Sequence, residues 1–169
     1  MKKTLIISII VLVVAIVALA LCRLIPQKQE FNFKLNYGIN AQNSVDTFNN
    51  KLTKDLIIDG TKTVDFTIPS DIMEQFKSSF IENNIDKLPS EIINNSGSFV
   101  TPSYEIDLTY EYNGKSQTIK DAQANAIWSE NVSTSSDEAH FLNFVKPILD
   151  YIEQTGILET LPTPNGGYM

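Results

Sequence analysis

Cysteine, histidine, arginine and tryptophan each occur once in the 169 residues, as Cys22, His140, Arg23 and Trp128. One cysteine excludes an intramolecular disulfide framework and any zinc site built from several thiolates. One histidine leaves little material for a multi-histidine metal centre. Positive charge is scarce as well: 13 basic residues stand against 20 acidic ones, a formal net charge of −7. That balance argues against a nucleic-acid binder, which needs basic surface to displace counterions from phosphates. Local catalytic signatures are missing too, with no G-x-S-x-G, Walker loop, G-x-G-x-x-G, H-E-x-x-H, EF-hand loop or Ser-x-x-Lys. Any enzyme reading must therefore rest on dispersed residues, and no cofactor is expected.

Apolar residues are concentrated at the N-terminus. Lys2-Lys3 is followed by TLIISIIVLVVAIVALALC, 19 residues from Thr4 to Cys22 without a charge, 13 of them Leu, Ile or Val. As a helix this run would span about 28 Å, close to the roughly 30 Å hydrocarbon layer of a bilayer. On insertion scales those 13 residues favour the membrane by roughly 4–8 kcal/mol. The expected organisation is a cytoplasmic tail at 1–3, a transmembrane anchor at 4–25, a stalk at 26–30 and an extracytoplasmic domain at 31–169. Lys2 and Lys3 set the N-terminus inside. All 20 acidic residues lie at Glu30 or later, so residues 30–169 carry 9 basic groups and a formal −11. Leu19-Ala20-Leu21-Cys22 resembles a lipobox, which makes Cys22 a possible lipid-attachment site. Leu21 departs from that pattern, where Gly, Ala or Ser is usual.

Beyond the stalk the pattern is that of one α+β domain, an antiparallel sheet with two helices on one face. In residues 104–112, Tyr104, Ile106, Leu108, Tyr110 and Tyr112 alternate with polar residues, the period of a half-buried strand. Asn113-Gly114 supplies a type I′ turn. The return strand then places Leu108 opposite Ile119, Thr109 opposite Thr118 and Asp107 opposite Lys120. Further strands are expected at 31–37, near Val45 to Phe48, and at 51–58 paired with 62–68. A three-residue loop at Asp59-Gly60-Thr61 would set Leu56 against Val64 and Leu52 against Ile68. One helix should follow the cap Pro69-Ser70-Asp71 and end at Asn83-Asn84. A second should start at the capping box Ser135-Ser136 with Glu138, kink at Pro147 and stop at Gly156.

Few residues stand out as sites. His140 suits a general base or pH sensor, but its place off the helix's apolar stripe suits a surface residue better. The expected register would bring Asp55 and Asp65 together as a carboxylate pair able to share a proton or bind Ca²⁺. Glu105, Asp107 and Glu111 make an acidic stripe, read as a solvated strand face. Trp128 reads as a core plug rather than a stacking platform. Asn94 and Asn131 begin glycosylation-type tripeptides of the kind an Asn-rich chain produces by chance. The tail LPTPNGGYM is not a sortase signal, since Pro164 holds the fourth position. It reads as an extended segment laid over the surface, anchored by Leu161 and Tyr168.

The segments FKLNYG (33–38), LTKDLI (52–57), YEIDLTYEYNGK (104–115) and LPTPNGGYM (161–169) together resemble small membrane-anchored or lipoprotein-like extracytoplasmic proteins of Bacillus-type bacteria. A preference for lysine over arginine, with abundant Asn and Ile, agrees with an AT-rich genome. The resemblance implies an exterior location and carries over no catalytic residue. The expected function is a single-pass membrane protein displaying a non-catalytic acidic binding domain at the cell envelope. Its partners would be the bilayer, through residues 4–25, and an envelope protein or ligand. The alternatives are an envelope hydrolase using dispersed carboxylates, or a lipid-anchored sensor or inhibitor.

Overall fold

The computed structural model describes residues 31–92, 102–124 and 137–168. The expected anchor at 4–25, the stalk, Cys22, Trp128, Asn94, Asn131 and the Ser135-Ser136 cap lie outside those residues. Among the described residues, no helix is long and apolar enough to cross a membrane.

Six strands form one antiparallel sheet. They are β1 (Phe31–Ile39), β2 (Asn43–Asp46), β3 (Lys51–Asp55), β4 (Thr61–Asp65), β5 (Tyr104–Tyr112) and β6 (Lys115–Asp121), in the spatial order β4-β3-β2-β1-β5-β6. The first strand is therefore internal, paired along its whole length with β5 (Phe31 with Tyr112 through Ile39 with Tyr104) and on its other side with β2. Alternation in β1 sends Phe31, Phe33, Leu35 and Tyr37 to one face, where all are buried. Helix α1 (Ser70–Glu82) and helix α2 (Asp137–Gln154) cover that face with Phe76 and Phe80 from one and Phe141, Leu142, Phe144, Val145, Ile148 and Leu149 from the other. The result is the expected α+β arrangement, a single sheet with two helices on one side.

The β5–β6 hairpin has the expected register, with Leu108 opposite Ile119, Thr109 opposite Thr118 and Asp107 opposite Lys120. Asn113 and Gly114 both hold positive φ, 52° and 72°, as a type I′ turn requires. The β3–β4 hairpin departs from expectation. Leu52 pairs with Val64 and Asp55 with Thr61, a shift of four residues that moves Leu56 out of the strand. Five residues, Leu56 to Gly60, form the loop, and Asp55 Oδ1 accepts the Ile57 N–H at 2.8 Å to turn the chain. Because the shift is even, Leu52 and Val64 still face inward.

Helix α1 starts one residue earlier than a Ser or Asp cap would allow. Pro69 is the N-cap with no side-chain bond, and Asp71 sits in the first turn, where its charge complements the helix dipole. At the other end Asn84 takes a left-handed conformation (φ 53°) and leads into a 3-10 turn at Ile85–Lys87 that the sequence pattern does not signal. In α2 the helix runs through Pro147. Pro147 and Asn143, the residue whose carbonyl loses its donor, are both exposed, so water can satisfy the freed group. Gly156 (φ 67°) then ends it and opens a second 3-10 turn, Ile157–Thr160.

The tail returns over the β3–β4 loop. Asn165 donates its N–H to Leu56 O at 3.1 Å and accepts the Ile58 N–H at 3.2 Å, and the Tyr168 hydroxyl donates to Asp55 Oδ2. Gly166 packs so closely that a Cβ there would lie 2.6 Å from Ile58 Cδ1. The anchoring residues are thus Asn165 and Tyr168, with Leu161 only half-buried. Removing residues 162–169 should cost about 1–2 kcal/mol in urea unfolding and raise amide exchange at Ile58, whose partner is lost. Unchanged exchange at Ile58 would show that the tail does not hold this loop.

Candidate functional site

The sheet offers two faces of different chemistry. Away from the helices, register builds polar rows across the strands, and one runs Asp65, Lys51, Asp46, Lys34, Thr109, Thr118. Opposite charges alternate along it, and threonine hydroxyls meet at 2.9 Å both between Thr109 and Thr118 and between Thr53 and Thr63. Lys51 Nζ lies 2.5 Å from Asp65 Oδ1 and holds that carboxyl below its ordinary range through the hydrogen bond and the charge. Lys120 Nζ lies 3.7 Å from Asp107. Glu105, Asp107 and Glu111 belong to this face, as expected of a solvated strand surface.

The carboxylate pair expected from Asp55 and Asp65 does not form. The four-residue shift puts Asp65 beside Lys51 and Asp55 opposite Thr61, where its two oxygens serve Ile57 N–H and the Tyr168 hydroxyl. With both oxygens engaged, Asp55 is a loop-closing residue. His140 is half-buried in the first turn of α2. No group of three or more His, Cys, Asp or Glu side chains able to hold a metal ion occurs among the described residues.

A cleft of about 370 Å³ opens beside the β5–β6 turn, lined by Asp86, Tyr110, Tyr112, Asn113, Lys115, Ser116 and Gln117. Each wall follows from local structure. Tyr110, Tyr112, Lys115 and Gln117 project from the helix-side face of the hairpin, and the 3-10 turn carries Asp86. One relay ties the walls together: the Tyr110 hydroxyl donates to Gln117 Oε1 at 3.1 Å, and Gln117 Nε2 donates to Leu88 O at 3.1 Å. Burial, with the Asp86 charge as a smaller cause, raises the Tyr110 pKa, so this hydroxyl remains a donor. Behind the cleft the Phe80 ring centroid sits 4.8 Å from that of Tyr110 and 5.2 Å from that of Tyr112. The cleft thus combines aromatic walls, one acid, one base and amide and hydroxyl groups, a set suited to holding a small polar ligand. A second hollow of about 330 Å³ lies between the helices over Phe76, Pro147 and Tyr151. It is a furrow along their packing seam, with fewer converging polar groups.

Asp121, the last residue of β6, was not singled out by motif. Its position in the strand could have marked it, because residues 117, 119 and 121 share the inward face. Its side chain is fully buried. Oδ1 accepts the Gln123 N–H at 3.1 Å, and Oδ2 has no hydrogen-bond partner among the described residues. Burial pushes its pKa up to about 6, opposed by the Gln123 hydrogen bond and aided to a smaller extent by the neighbouring Glu138 charge, and burial raises Glu138 as well. With no exposed surface, Asp121 offers a substrate no approach, so its titration falls on stability.

The folded chain holds the Asp121 proton up to about pH 6, whereas the unfolded chain releases it near 3.8. The folded state therefore binds more protons between those values, and this contribution to stability, complete below about pH 4, fades as pH rises through 6. Asp121→Asn should flatten that slope and stabilise the domain at pH 7 by on the order of 2–3 kcal/mol. Urea unfolding at pH 4.5 and 7.0 measures it, and an identical slope in the variant would refute the assignment. Compared with family models, curated proteins and solved structures, the chain finds no match.

Proposed function

We propose that the chain is a single-pass membrane protein, N-terminus inside, whose domain from residue 31 onward binds a small polar ligand or the polar tip of an envelope partner without catalysis. The anchor is residues 4–25, built on the uncharged run from Thr4 to Cys22, and the resemblance of segments 33–38, 52–57, 104–115 and 161–169 to membrane-anchored proteins of Bacillus-type bacteria supports the same placement. The observation that carries the binding reading is the cleft beside Asn113-Gly114. Asp86 and Lys115 offer opposite charges there, and Asn113 and Ser116 offer uncharged hydrogen-bonding groups. Phe31, the first residue of β1, pairs with Tyr112 of the cleft, so the cleft lies at the end of the sheet where the anchor joins. Tethering there confines the search for a partner to a layer near the membrane, where even weak binding is effective. The Leu19-Ala20-Leu21-Cys22 segment favours one variation, a lipid anchor at Cys22, marked by fatty-acid labelling that vanishes in Cys22→Ala.

Two measurements test the reading. A reporter fused after Met169 should be active only outside the cytoplasm, and activity confined to the cytoplasm would reverse the topology. In envelopes carrying the full chain, a photocrosslinker at Asn113 should give an adduct that Lys115→Glu weakens at least several-fold. A crosslinker at Ile58, at the other end of the sheet, should not give that adduct. Equal adducts from both positions, or indifference to Lys115→Glu, would rule out the cleft.

A further inference from the structure

We infer that the end of the domain where the chain enters is itself a lipid-contact surface, seated in the bilayer interface by Phe48 and Ile81. This rests on the anchored reading above and adds a second point of attachment to it. Four large apolar side chains are exposed among the described residues: Phe48 (41%), Ile81 (47%), Ile58 (73%) and Tyr168 (37%). They divide by position. Ile58 and Tyr168 accompany the tail at the far end of the sheet, where Gly166 lies against Ile58 and the Tyr168 hydroxyl meets Asp55. Phe48 and Ile81 lie at the Phe31 end.

Both positions are fixed by the packing of their neighbours. Phe48 belongs to the β2–β3 turn, which Thr47 clamps to β1. Thr47 Oγ1 accepts the Phe33 N–H at 2.8 Å and donates to Phe33 O at 2.9 Å, while Asp46 accepts the Asn49 N–H at 3.1 Å and its side-chain amide at 2.9 Å. Ile81 directly follows Phe80, whose ring centroid is 5.0 Å from that of Phe31. Chain length then fixes how far this end can stand from lipid. Nine Cα steps separate Cys22 from Phe31, at most roughly 30 Å when fully extended. An apolar pair on the end of a domain so tethered meets the interface at high effective concentration.

Charge distinguishes the kind of contact. Lys51, Lys87 and Lys115 at this end are offset by Asp65, Glu82, Asp86 and Glu111, all exposed. Attraction to anionic headgroups therefore does not hold it down. Insertion of apolar side chains does, as it does for other interfacial anchors, and the contact should be insensitive to salt.

The test uses the full chain in phosphatidylcholine vesicles on a Cys22→Ser background, with single NBD-labelled cysteines at Phe48→Cys, Ile81→Cys and, as control, Ile58→Cys. Circular dichroism checks that each variant folds. The expected result is flotation with the vesicles, blue-shifted emission at 48 and 81, and quenching by doxyl-labelled lipid at least twofold above that at 58, unchanged in 0.5 M salt. Flotation with equal quenching at all three positions would overturn this inference and leave the anchor standing. Blue-shifted emission without lipid quenching, dependent on protein density in the vesicle, would also overturn it and identify a second copy of the chain as the occupant. Failure to float would overturn both the anchor and the contact that depends on it.

Discussion

Phe33, the third residue of β1, has no exposed surface, and its ring meets Phe76 of α1 at 6.2 Å and Phe144 of α2 at 6.3 Å, both edge to face. One strand residue thereby fixes the distance of both helices from the sheet. Phe31 extends the contact, within 5.0 Å of Phe80 and 6.4 Å of Phe144. Burying aromatic rings of this size is worth about 2–3 kcal/mol each, with further gain from the edge-to-face geometry. Because β1 is internal to the sheet, this aromatic cluster also requires β2 and β5 to be in register on either side. The cleft depends on it as well, since Phe80 backs Tyr110 and Tyr112.

What could be read from sequence follows how local the determining interactions are. The β5–β6 hairpin was legible because a two-residue Asn-Gly turn permits one register and three side-chain pairs agree with it. The β3–β4 register was not. Its loop places Ile57 at φ 63°, a costly conformation for a β-branched residue, and is held by Asp55 and by Asn165. Asn165 lies more than a hundred residues away, so no local pattern could reveal its part. That misread register carried the Asp55–Asp65 pairing down with it. The helices were legible from apolar spacing, from the Pro69-Ser70-Asp71 start of α1 and from the Asn84 and Gly156 stops.

The candidate site shows the same division. Tyr110, Tyr112 and the turn were legible as a strand pattern, but the third wall comes from the 3-10 turn at Ile85–Lys87, brought in through Gln117 and the Leu88 carbonyl. Nothing in the spacing of residues 85–117 announces that meeting. Asp121 is a milder case. Strand parity put it inside, yet a lone carboxylate at the end of a polar segment, KSQTIKD, reads as solvated until the packing of α2 is known. Charge on the outer face, by contrast, was legible as a pattern, and the cross-strand rows show why so acidic a chain tolerates it: lysines alternate with the acids instead of standing apart from them.

The positions of the two ends of the described domain have a mechanical consequence. Phe31 opens β1 at one end of the sheet, and the tail is fastened at the other, through Asn165 and Tyr168. A pull between these points runs parallel to the strands, so the ladders flanking β1 are loaded in shear, with many hydrogen bonds strained together rather than unzipped singly. Under tension the tail clasp, which has few bonds, should yield first, and the core would then bear load only through whatever is attached farther inward.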